Sequence, residues 1–270
     1  MSRRSRQRIG IVAICALVLG LLSSCSQLLG GKAVIQQNRK FVIDDSIPLH
    51  VALPASSQRP YSYKVAVERF DVSRLYDRTQ VIYRLSSEEI REDRHLRWAN
   101  RPSDMITDAV EGYLRQGLLF QDVRQEFLDE PDFTLSGNVK AIERIDSGDE
   151  WYAKLALTMQ LTDRDGTAVW QDEFGIGELV RVYDEDFVQT VAKMSQMLHG
   201  YMEKAVRGID HKILLRKFRH EHKPPELINQ LIEEYENRAA NSVTGGSLST
   251  GSRQLIPSSD YEVIPGKPTP

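Results

Sequence analysis

The first 25 residues limit what the rest of the chain can become. Four arginines, Arg3, Arg4, Arg6 and Arg8, open the sequence, and no acidic residue precedes Cys25. An apolar run of 14 residues, Ile9 to Leu22, follows and closes on Leu22-Ser23-Ser24-Cys25. A basic start, an apolar middle and small residues at the exit are the parts of an export signal. The run is shorter than the ~20 residues a membrane-spanning helix needs, so it reads as a leader, residues 1–24, that is removed. The chain has two cysteines, and Cys15 lies inside that leader. The mature chain therefore holds no cysteine with which Cys25 could pair. An oxidising envelope permits disulfides, but this chain must fold on a packed core alone, and ~200 residues suffice to bury one.

The small residues ending in cysteine resemble a bacterial lipobox. In such a motif the cysteine sulfur carries diacylglycerol, cleavage precedes it, and the new amine takes a palmitate-type acyl chain. Lipidation at Cys25 would anchor the protein by fatty chains in place of a helix. Lipoprotein sorting reads an aspartate after the cysteine as inner-membrane retention; Ser26 stands there and implies the outer membrane. Loss of the four leader arginines takes the formal charge from −3 to −7. A mildly acidic chain is a poor partner for nucleic acid or a bare anionic lipid surface.

Residues 25–40 are small and polar and read as a tether. The domain runs over 41–208. Within it, Tyr63–Phe70 and Thr79–Arg84 read as strands from their β-branched and aromatic content. Met105, Ile106, Ala109, Val110, Tyr113 and Leu114 recur at helical spacing, with Ser103 as N-cap, Pro102 just outside and Gly117 at the C-terminal cap. Phe133 to Ala141 and Trp151 to Leu161 alternate as strands. Asp163-Arg164-Asp165-Gly166 then turns the chain into Thr167–Phe174, a hairpin. Phe187, Val191, Met194, Leu198, Tyr201, Met202 and Ala205 mark a long amphipathic helix whose apolar face is core; a lipid groove is the weaker reading. Residues 209–240 form a helical extension, basic as far as Pro224-Pro225, followed by a short amphipathic helix through Leu227, Leu231 and Tyr235. Residues 241–270, rich in Ser, Gly, Thr and Pro, read as a disordered tail.

No motif in the chain asks for catalysis, a cofactor or a metal. Gly175-Ile176-Gly177 follows a strand, but Val180 occupies the third glycine position of a nucleotide loop. Asp163, Asp165 and Gly166 echo a calcium loop whose twelfth position is Phe174, which cannot ligate. His220-Glu221-His222 lacks the helical spacing of a zinc pair. There is no GxSxG elbow and no cysteine nucleophile. Trp98, in Leu96-Arg97-Trp98-Ala99, is either a core plug or an interface anchor.

One stretch carries a recognisable pattern. Val65-Ala66-Val67 is followed by Leu75-Tyr76-Asp77-Arg78-Thr79-Gln80-Val81-Ile82-Tyr83-Arg84, then by Arg97-Trp98-Ala99, Pro102, Met105-Ile106 and Leu114. It resembles the ABC-type transport auxiliary lipoprotein family. Such proteins accompany ABC transporters whose substrate-binding subunits carry mammalian-cell-entry (MCE) domains, and which move lipids between the two membranes of Gram-negative bacteria. The resemblance implies an α/β fold, a three-layer sandwich with a mixed sheet of about five strands. It implies no enzyme activity and no cofactor. It also implies an MCE-domain protein and its ABC transporter as partners, with a homo-oligomer allowed. The family-like blocks place candidate partner contacts at Arg78, Arg84 and Trp98. The competing class is a structural or assembly lipoprotein of the envelope with no transport role; a lipid-anchored hydrolase ranks third.

Overall fold

The computed structural model describes residues 38–51, 53 and 59–244, with side chains as far as 237. They belong to a compact unit that begins at Asn38. The leader, Cys25, Ser26 and most of the tether lie outside the described residues, as does the chain from 245 onward.

The spine is a long antiparallel hairpin of β7 (Phe133–Ser147) and β8 (Glu150–Asp163), paired from Phe133 opposite Asp163 to Ser147 opposite Glu150. Three short strands run parallel to the free edge of β7, one after another: β2 (Tyr61–Val67), β3 (Asp71–Val72) and β4 (Gln80–Arg84). Beyond β2 lies β6 (Phe120–Arg124), parallel to it. Beyond β4 lies β5 (Ile90–Trp98), antiparallel, and then β1 (Arg39–Phe41), parallel to β5. The outer edge of β8 pairs with β10 (Val180–Val182) and β9 (Ala168–Phe174). This is the mixed α/β architecture expected from the sequence, an open sheet with, among the described residues, three helices: α1 (Pro102–Gln116), α2 (Phe187–His220) and α3 (Pro225–Thr244).

The alternation in β8 decides which face is covered. Ala153, Leu155, Leu157, Met159 and Leu161 are buried, while Thr158, Gln160 and Thr162 on the other face are half-exposed. Helix α2 lies over the apolar face. Its Tyr201 hydroxyl donates to the Leu155 carbonyl at 3.0 Å and its ring stacks on Phe174 at 5.3 Å. Met194, Leu198 and Met202 have no exposure at all, so the apolar stripe of α2 is core. Helix α1 sits beside α2, with the Tyr113 and His199 rings 5.8 Å apart and Gly117 against Val206.

Three local expectations change. The N-cap of α1 is Arg101, and Pro102 opens the helix. Ser103 lies inside the first turn, where its hydroxyl accepts from Arg69 Nη2 at 2.8 Å. Proline at the first helical position has no N–H to satisfy and a preset φ, so it moves the start two residues upstream. Gly117 stays right-handed at φ −65, and the left-handed residue is Leu118 at φ 49. Helix α2 also runs unbroken through Gly208, where the composition changes. A Cβ there would lie 2.6 Å from Trp170 Nε1, so this glycine serves close packing on β9 and does not end the helix. Ile209 and Ile213 still join the main core, and Leu214 and Leu215 pack against Leu231 and Tyr235 of α3.

Candidate functional site

The three residues singled out by the family-like blocks lie on or beside β4 and β5, but in different surroundings. Trp98 ends β5, is 2% exposed, and meets the Phe187 ring edge-on at 5.7 Å. Its backbone N–H donates to the Thr79 carbonyl at 2.7 Å, which ties β5 to the start of β4. Of the two readings left open for Trp98, the side chain occupies the core position.

Arg84 ends β4 and points inward. Its Nε donates to Glu143 Oε1 at 2.9 Å, and the Tyr76 hydroxyl donates to Glu143 Oε2 at 2.7 Å. Lys154 Nζ adds its charge at 3.9 Å. Glu143 is 1% exposed, and a buried carboxylate is tolerable only when charge and hydrogen bonds answer it. The bond to Glu143 raises the Arg84 guanidinium above its ordinary value. Burial, with the Glu143 contact, pushes the Tyr76 phenol up to about 12. Near neutral pH Arg84 is thus charged and the tyrosine neutral.

Arg78 is the surface member. It pairs through Nη1 with Glu92 of β5, both side chains being more than a third exposed. Among the described residues no strand covers the outer edge of β5 before Leu96, because β1 reaches only Leu96 to Trp98. Arg91, Glu92 and Arg94 lie on this stretch of β5 and are exposed. A charged open edge discourages indiscriminate strand pairing and still offers directed polar contacts.

Sequence reasoning missed two further centres. Arg144 of β7 is almost fully buried; it donates from Nε to Asp146 Oδ1 at 2.6 Å and from Nη1 to the Glu185 carbonyl at 2.5 Å. Its guanidinium lies over the Tyr83 ring at 5.1 Å and the Trp151 ring at 5.4 Å. Asp210 of α2, with no exposure, gathers Arg59 Nε at 2.9 Å, the Tyr61 hydroxyl at 2.7 Å and the Tyr235 hydroxyl of α3. Burial pulls the Arg59 guanidinium down, but the bond and charge of Asp210 carry it above its usual value. His211 stacks on Tyr235 at 4.5 Å, and burial, helped by Lys212, lowers its pKa. Both centres join residues far apart in the chain, and no short motif announces such a pairing.

The motifs set aside from sequence have structural explanations. Asp163 Oδ1 accepts from the N–H groups of Asp165 and Thr167 and closes the β8–β9 turn. Gly175 takes φ +69, where a Cβ would lie 2.0 Å from the Leu155 carbonyl oxygen. His220 is the last residue of α2 and His222 is left-handed at φ 52, so the two diverge. Among the described residues no group of three or more His, Cys, Asp or Glu is placed to hold a metal, and no helix is long and apolar enough to cross a membrane.

A model of the ABC-type transport auxiliary lipoprotein component family matches residues 48–202. No protein of curated function matches the chain in sequence. Among solved structures, protein XCC0632 from Xanthomonas campestris, described as a DUF330 protein, is 19% identical; the match covers 62% of this chain and 92% of that one, with a TM-score of 0.51. An uncharacterized protein is 16% identical over 57% of this chain and 96% of its own, with a TM-score of 0.48. At such identity the first likeness concerns the fold.

Proposed function

The chain belongs to the ABC-type transport auxiliary lipoprotein component family, and on that premise we propose that it is the outer-membrane-anchored accessory subunit of an ABC/MCE-type intermembrane lipid-transport system. Lipidation at Cys25 holds it at the membrane, and Ser26 directs it to the outer one. It acts by binding an MCE-domain protein. A lipid anchor confines the domain to a surface, so that a weak protein contact becomes effective at high local concentration.

The observation that carries the reading is the family match, which encloses the Arg78, Arg84 and Trp98 blocks. The exposed charged residues of β5 are the contact face, together with Arg78, which pairs with Glu92 of that strand. Arg84 and Trp98 act from beneath: the Glu143 bond fixes the end of β4, and the packing on Phe187 fixes the end of β5.

A photo-crosslinking residue in place of Arg78 tests the face in cells. The expected product is an adduct with an MCE-domain protein, absent when the same residue replaces Lys140. Adducts with outer-membrane assembly proteins alone would favour a structural lipoprotein. Mass spectrometry of the purified protein checks the anchor: a diacylglyceryl and acyl mass on an N-terminal Cys25 is expected, and an unmodified terminus elsewhere excludes it.

A further inference from the structure

The chain as a whole is acidic, which disfavours anionic partners. The C-terminal half of α2 is a local exception. Lys212, Arg216 and Arg219 follow one another at spacings of four and three, so they share one helix face, and all three are exposed. That face borders a cleft of about 300 Å³ whose opposite wall is Ala168 and Val169 of β9 and whose floor includes Leu215. No carboxylate among the described residues lines it. Arg216 reaches out of the cleft to Asp163 at 2.7 Å. Lys212 and Arg219 have no such ion pair among the described residues.

Helix electrostatics do not account for the set. Cations in the last turn offset the negative end of the macrodipole, which explains Arg219. That effect fades within one turn, and Lys212 stands about two turns before the end. The neighbouring cleft of about 460 Å³ shares Arg216 and also holds Arg164 and Lys217, but Asp132, Asp163, Asp165 and Glu221 line it too and offset those charges.

We propose that the cleft between β9 and α2 is a binding site for a phosphate-monoester anion, held by Lys212, Arg216 and Arg219. A phosphate monoester carries about −1.5 to −2 charges near neutral pH, which answers two cations without an ion pair among the described residues and one shared one; a single carboxylate would not. The guanidinium forks suit phosphate oxygens in pairs, and Lys212 supplies a point charge. Val169 and Leu215 give apolar contact to whatever bears the phosphate. The site stands whether or not the transport reading holds.

Two sources share this chemistry, a soluble phosphate and a lipid head group. The test uses the full mature chain from Ser26 onward, made without its leader so that no fatty chain is attached. One arm titrates inorganic phosphate by calorimetry. The other floats the protein with phosphatidylcholine vesicles, with and without phosphatidic acid. Saturable binding is expected in at least one arm, and the arm that responds names the source. The Lys212→Gln, Arg219→Gln variant is expected to weaken it about thirtyfold, two surface charges' worth, with an unchanged melting curve; Lys140→Gln leaves it intact. The single Lys212→Gln variant and a rise in salt weaken it less but in the same direction. Absence of binding in both arms, or binding that the double variant and salt leave untouched, overturns the site. Flotation no greater with phosphatidic acid than with phosphatidylcholine alone, together with no phosphate binding by calorimetry, overturns it as well.

Discussion

Replacing Trp98 with alanine removes a side chain that is 2% exposed and whose ring lies 5.7 Å from that of Phe187. Phe187 also meets Phe41 at 5.0 Å and Tyr83 at 5.8 Å, so the ring cluster joins β1, β4 and β5 to the first turn of α2. Large-to-small changes at such aromatic positions cost ~3–5 kcal/mol, transfer and cavity together. With a urea slope of about 2 kcal/mol/M, the unfolding midpoint falls by roughly 2 M. Far-UV circular dichroism is the suitable readout, because the substitution itself alters tryptophan fluorescence. Trp98→Phe keeps the edge-on contact with Phe187 and is expected to lose less than half as much. A Trp98→Ala protein that melts within ~1 kcal/mol of wild type at an unchanged slope refutes the core placement. If that protein also lost its partner, Trp98 would instead be an interface anchor.

Arg84→Met leaves Glu143 buried without its guanidinium and should cost ~3 kcal/mol or more. Arg78→Met breaks an exposed pair and should cost less than ~1 kcal/mol; denaturant midpoints of the two variants decide whether that ranking holds. Gly175→Ala combines a positive φ with a Cβ placed 2.0 Å from the Leu155 oxygen, so a loss of ~1–3 kcal/mol is expected in the same assay. His211 has its pKa lowered in the fold from 6.5, so as pH drops below about 6.5 the unfolded chain gains a proton that the native state resists, and stability declines. Above that pH the contribution vanishes; His211→Gln should flatten the acid limb of a plot of stability against pH, and an unaltered limb would show that His211 does not cause it.

The parts of the fold legible in the sequence were those with long, one-sided burial. Residues 151 to 161 alternate because one face meets α2 and the other meets solvent, and the Asp-Gly turn into β9 is local chemistry. Strand β5 left no such trace. Among the described residues no strand covers its outer edge along 90–95, and the segment Ile90 to Arg97 carries charge where a central strand would alternate. Strands β1, β3 and β10 have two or three residues each, too few for a period to register. The β4–β5 blocks were visible through resemblance, yet the division between surface and interior was not. That Arg84 turns in to Glu143 while Arg78 stays out follows from pairings 59 and 14 residues apart. Asp210 with Arg59, 151 residues away, was hidden for the same reason.

The claim that this lipoprotein works as a transport accessory by binding is tested most directly by isolating it from its own membrane. The full-length, lipidated protein, tagged at its C-terminus and purified from detergent-solubilised envelopes after mild crosslinking, should bring down an MCE-domain protein together with its ABC ATPase and permease. Recovery should fall sharply with a crosslinker-compatible Arg78→Glu variant that still reaches the membrane. Recovery of those subunits no higher than from an untagged strain, across repeated crosslinking conditions, would contradict the account.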